Sequence, residues 1–94
     1  MTYAGWSTYD DSMEIRSARH LGALIRQRRI ERNWSQARLA EAAGVSRQWV
    51  VAFESGKPTA EFGNVLRTVR ASGLVLDLIG TGPDERDLAE IFDA

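Results

Sequence analysis

The sequence contains no cysteine, which excludes disulfides, thiolate metal sites and a cysteine nucleophile. It contains one histidine, His20, which leaves a histidine metal cage or a Ser/His/Asp triad without support. No apolar run approaches the ~20 residues that a membrane span requires. The opening Met-Thr-Tyr-Ala-Gly-Trp has neither the basic start nor the apolar core of a secretion signal. The expectation is a cytoplasmic protein with no membrane partner, no metal and no cofactor. Catalysis is not expected either. The acidic pairs Asp10/Asp11 and Asp84/Glu85 lie near the two ends of the sequence with no second catalytic group beside them.

What is present fits one small folded unit. The chain has 94 residues, 44% apolar and 27% charged, close to globular averages. A chain this short buries a modest core, a deficit that homodimerisation would relieve. The net charge is only −1, but it is unevenly spread: residues 1–14 carry −3, residues 15–72 carry +7 and residues 73–94 carry −5. A basic centre between acidic ends suits an anionic partner for the middle and something else for the ends. An arginine-solvated helical surface would give the same arithmetic.

Periodicity divides the chain into a flexible N-terminal arm (1–12), a helical body led by a short strand (13–73), an aliphatic strand (74–80) and an acidic tail (81–94). Met13-Glu14-Ile15-Arg16 alternates like a very short half-buried strand. Ser17 is placed to cap a helix over about 17–32 carrying Leu21, Leu24 and Ile25 at i, i+3, i+4. Ser35 opens a second helix with Leu39, Ala40 and Ala43 inward. Gly44 sits where a helix leaves through a left-handed residue. Ser46 opens a third helix with Val50 and Phe53 inward. After Gly56-Lys57-Pro58, Thr59 is expected to cap a fourth helix with Phe62, Val65, Leu66 and Val69 inward. Leu74, Leu76 and Leu78 then alternate with Val75, Asp77 and Ile79 as a strand. The tail could add one or two turns of acidic helix carrying Leu88, Ile91 and Phe92.

The stretch from Ser35 to Lys57 carries the functional signal. It reads as helix, glycine turn, helix: Ala40 is small where the second helix must cross, Gly44 makes the turn, and Val45 fills the elbow. These are the requirements of two helices meeting steeply across a three- or four-residue turn. Two residues at the start of the second helix have base-reading chemistry. An arginine such as Arg47 can pair two ways with guanine O6/N7, and a glutamine such as Gln48 with adenine N6/N7.

From Trp34-Ser35-Gln36 through Phe53-Glu54-Ser55-Gly56-Lys57, within about residues 20–72, the chain resembles the lambda-repressor-like (XRE) helix-turn-helix class. The resemblance implies a mostly α fold of four to five helices in which the second motif helix enters the DNA major groove. It implies base contacts from Ser46, Arg47, Gln48, Val51 and Ala52, and backbone contacts from Ser35, Gln36, Arg38, Trp49 and Lys57. Trp49 departs from the small polar residue usual there; it either presses on the sugar-phosphate wall or covers the core rim. Arg26, Arg28 and Arg32 are further backbone candidates, equally explained as a solvated face. The positions of Arg29 and Glu54 match a structural ion pair between the first and third helices.

A lone strand cannot satisfy its own backbone groups. Residues Leu74, Val75, Leu76, Leu78 and Ile79 are therefore expected to pair with the same strand of a second copy, with Met13–Arg16, or with both in one sheet. A helical body followed at once by an aliphatic strand is similar to the HipB-type antitoxins. That similarity implies a homodimer on double-stranded DNA at a pseudo-palindromic operator, and a HipA-like kinase toxin as partner. A stand-alone small regulator, or a protein-interaction module on the same scaffold, is the alternative.

Overall fold

The computed structural model describes residues 13–80 and 82. Among them are four helices: α1 (Ala18–Glu31), α2 (Gln36–Ala43), α3 (Arg47–Glu54) and α4 (Phe62–Ala71). The first three start alike. The side chains of Ser17, Ser35 and Ser46 accept from the backbone N–H groups of His20, Arg38 and Trp49, each at 3.0 Å. Each serine satisfies one of the four N–H groups that a helix start leaves without a partner. α2 ends through Gly44 in the left-handed region, φ 73°, where a Cβ would crowd the backbone.

The fourth helix begins later than the sequence suggests. Pro58 and Thr59 form a turn and Ala60 packs against the core, so α4 starts at Phe62 with Glu61 as its cap residue and no side-chain cap bond. Thr59 is therefore not a cap. The register places Val65, Thr68, Val69 and Ser72 inward and leaves Phe62 62% exposed, against the expectation that Phe62 is a core residue. The two hydroxyls on this inner face bond back along the helix: Thr68 Oγ1 donates to the Asn64 carbonyl at 2.7 Å and Ser72 Oγ to the Thr68 carbonyl at 2.8 Å. Burial then costs them little.

The core joins all four helices through Ile25, Leu39, Ala40, Val50, Phe53, Val65 and Val69. α1 lies so close to the end of α3 that a Cβ on Gly22 would run into the Phe53 carbonyl oxygen. Leu21, Trp34, Val45, Trp49 and Leu74 pack around this core, partly exposed.

Beyond α4 the expected strands do not form among the described residues. Neither 13–16 nor 74–80 has strand structure, and the two segments exchange no backbone hydrogen bond. A strand exists only as part of a ladder. Instead both segments border, with Leu21, Leu24 and Val69, an apolar groove of about 1170 Å³. Val75, Leu78 and Ile79 there are 87%, 94% and 76% exposed. The fifth, acidic helix considered for the tail lies outside the described residues, as does the arm 1–12.

Candidate functional site

The α2–α3 unit is set by its turn. With Gly44 left-handed, the Val45 N–H reaches back to the Ala40 carbonyl at 3.0 Å and the Gly44 N–H to the Glu41 carbonyl at 3.3 Å, so two end carbonyls of α2 are satisfied. Val45 half-buries in the elbow and Val50 and Phe53 are fully inside. This anchoring rolls the opposite side of α3 outward. Ser46, Arg47, Gln48 and Val51 are exposed and Ala52 is half-buried on the flank. Among the described residues the side chains of Arg47 and Gln48 make no hydrogen bond or ion pair. The Ser46 hydroxyl already serves the helix cap.

The inner end of α3 is fixed by charge. Glu54 is buried, and its carboxylate accepts from Arg29 Nε at 2.7 Å and Nη2 at 3.0 Å. It also accepts from Gln36 Nε2 at 3.2 Å. Arg29 Nη1 donates to the Trp34 carbonyl at 2.8 Å, so one guanidinium fork ties α1, the α1–α2 loop and α3 together. The hydrogen bond that it donates to Glu54 holds the Arg29 guanidinium above its ordinary pKa, outweighing the opposing effect of burial. Gln36, at the start of α2, thus braces α3 through Glu54.

The remaining residues singled out from sequence fall around this unit. Trp49 stacks on Phe53, ring centroids 4.8 Å apart, which puts it on the core rim. It also lines a cleft of about 420 Å³ between α3 and the start of α4, with Ala52, Lys57, Thr59, Glu61 and Asn64. Lys57 and Ser35 are exposed. Arg38 lies over the Trp34 ring at 5.0 Å and bonds Glu41 at 3.1 Å. Arg32 covers the same ring at 5.1 Å, giving two cation–π contacts that no local spacing announces. Arg28 and Arg32, weighed as phosphate contacts, are engaged elsewhere: they donate to the Ser72 and Ala71 carbonyls, both at 3.0 Å. Arg26 stays exposed. The described residues contain no metal-binding cluster, and no helix among them is long and apolar enough to cross a membrane.

A family model described as a helix-turn-helix domain matches residues 20–89. The chain belongs to this helix-turn-helix family. An uncharacterised HTH-type transcriptional regulator of Sinorhizobium fredii is 40% identical over 68 residues, 72% of this chain and 90% of the relative. Among solved structures, HipB in its O4 20-mer complex superposes with a TM-score of 0.68 at 18% identity, covering 74% of this chain and 99% of HipB. The HipA–HipB–O2–O3 complex gives 0.68 at 20% identity, with 74% and 99% covered. At such identities the likeness is one of fold: this helix-turn-helix protein has the fold of HipB.

Proposed function

We propose that this helix-turn-helix protein is a sequence-specific, DNA-binding transcriptional repressor that acts as a homodimer. The observation that carries the reading is the outward face at the start of α3. Arg47 and Gln48 stand exposed with no partner among the described residues, on a helix whose other end is bolted to the body through buried Glu54. The helix backbone is held in place before DNA arrives, so contact with base edges need order only the side chains themselves. Arg47 is assigned to guanine, Gln48 to adenine, and Val51 to a thymine methyl. Ser46 and Ala52 complete the base-contacting surface. Ser35, Gln36, Arg38, Trp49 and Lys57 are assigned to the backbone, which positions the protein without reading sequence. The relative named as a transcriptional regulator, and HipB's complex with a 20-mer, support the reading as a DNA-binding regulator.

Two half-sites about one helical turn apart require two copies. Residues Leu74–Ile79, with their exposed aliphatic side chains beside the apolar groove, are proposed as the dimer seam. The HipB fold, and its complex with HipA, favour an antitoxin that binds a HipA-like kinase over a stand-alone regulator. No residue is assigned to that contact.

Selection of binding sites from random duplexes, followed by titration at several salt concentrations, tests the function. The expected result is an inverted-repeat consensus and a log K that falls steeply with log[salt]. Failure to enrich any sequence, with no duplex binding at low salt, would retire the DNA reading in favour of a protein-docking module. Co-purification with a kinase encoded beside the gene separates antitoxin from stand-alone regulator.

A further inference from the structure

One turn of α1 holds both functional ends of the molecule. Arg29 grips Glu54 at the end of α3. Arg28 Nε, one residue before it, donates to the Ser72 carbonyl, and Arg32 Nη1, one turn on, to the Ala71 carbonyl. The backbone around α4's end has its own bonds: Ser72, Gly73 and Leu74 N–H groups take the Thr68, Arg70 and Val69 carbonyls. The Ala71 and Ser72 carbonyls are left over, and they receive the two guanidinium donors, cations at the negative end of the helix. Gly73 leaves with φ 76°, and a Cβ there would meet the Arg32 guanidinium. Arg32 is itself braced on the Trp34 ring, and Trp34's carbonyl accepts from Arg29. The chain that departs at Leu74 therefore starts from a point fixed against the recognition helix by three arginines.

We infer that Arg28 and Arg32 are positioning residues that set the half-site spacing, by fixing the direction in which Leu74–Ile79 leaves the body relative to α3. The inference rests on the dimer reading above. Two recognition helices joined through a rigid seam accept one spacing; joined through a loose exit they accept several, at a lower effective concentration for the second contact.

The test compares the wild type with Arg28→Ala/Arg32→Ala, and with the milder Arg28→Gln in case the double variant does not fold. The probes are a duplex carrying one selected half-site and a series of two-site duplexes whose spacing differs by one base pair at a time. The wild type should prefer one spacing by about tenfold or more over its neighbours, the two-site advantage being on the order of 10²-fold over the half-site. In the variants the half-site affinity should stay within about twofold, since Arg29 and α3 are untouched. Their spacing preference should flatten to about threefold or less. A variant that is folded, binds the half-site normally and keeps the wild-type spacing profile overturns the inference. A wild type that gains nothing from a second half-site refutes the dimer reading itself, and the inference with it.

Discussion

Removing the Glu54 carboxylate is the sharpest perturbation the structure offers. Its side chain is 3% exposed and that of Arg29 11%, so deletion leaves a guanidinium buried with only the Trp34 carbonyl to serve it. Stranding one member of such a pair costs about 3–5 kcal/mol. A chain of 94 residues has a total stability of roughly 5–14 kcal/mol, so Glu54→Ala should lose a large fraction of it. Urea unfolding followed by far-UV circular dichroism reads this directly. At a slope of about 1 kcal/mol/M the midpoint falls by about 3–5 M. Arg29→Ala should cost a similar amount, because Glu54 then keeps only Gln36. The decisive measurement is the double variant: its loss should be well below the sum of the two single losses, because neither charge is then stranded. Replacing both residues, as Arg29→Met/Glu54→Leu, should come near wild-type stability. Additive single losses, or a single loss under about 1 kcal/mol, would show that the pair is not buried as described. Arg29's raised pKa adds no pH dependence between pH 6 and 9. A group whose folded pKa lies above its unfolded value stabilises fully below the latter, and for arginine the loss begins only in strong alkali.

Three further outcomes follow from the same geometry. Gly44→Ala meets open space and suffers only its positive φ, about 1–2 kcal/mol, whereas Gly22→Ala drives a methyl into the Phe53 carbonyl and should cost more; equal midpoints in urea would contradict the close α1–α3 approach. Arg47→Ala should cost about 1–3 kcal/mol on the selected duplex and almost nothing on random duplex, while Lys57→Ala should weaken both alike and lower the salt slope; fluorescence anisotropy on the two duplexes distinguishes them. Truncation after Gly73 should give a monomer in light scattering while the helical signal per residue of the body persists, and a truncated dimer would move the seam elsewhere.

The parts of this fold that could be read from sequence are those decided locally. Ser17, Ser35 and Ser46 cap because a serine oxygen three residues ahead of a free N–H finds it without help from the rest of the chain. Gly44 terminates α2 because the left-handed conformation is a property of one residue. The start of α4 was not local. Thr59 has the chemistry of a cap, but the docking of Ala60 on the core holds the chain out of helix until Phe62. The same helix turns Thr68 and Ser72 inward, where a hydropathy pattern places no hydroxyl, and their back-bonding to the preceding turn is visible only in three dimensions.

The arginines of α1 show the limit most clearly. Arg28, Arg29 and Arg32 are alike in residue type; the resemblance separates Arg29 as the partner of Glu54 but gives Arg28 and Arg32 the roles of phosphate contacts or a solvated face. The fold gives Arg29 and the other two different partners, because neighbouring residues on a helix point about 100° apart. Arg29 turns toward Glu54, while Arg28 and Arg32, one turn apart on the same side, turn toward the end of α4. Charge counted along the chain therefore overstates the cations free to meet an anionic partner: of the eleven basic residues between 15 and 72, Arg28, Arg29 and Arg32 are committed to carboxylate or carbonyl oxygens at the ends of other helices. On the proposed reading, the phosphate contacts come from cations that remain exposed, Lys57, Arg38 and Arg26 among them. The salt slope of DNA binding, about 0.9 per phosphate neutralised, should accordingly be smaller than the net charge of the basic centre would suggest.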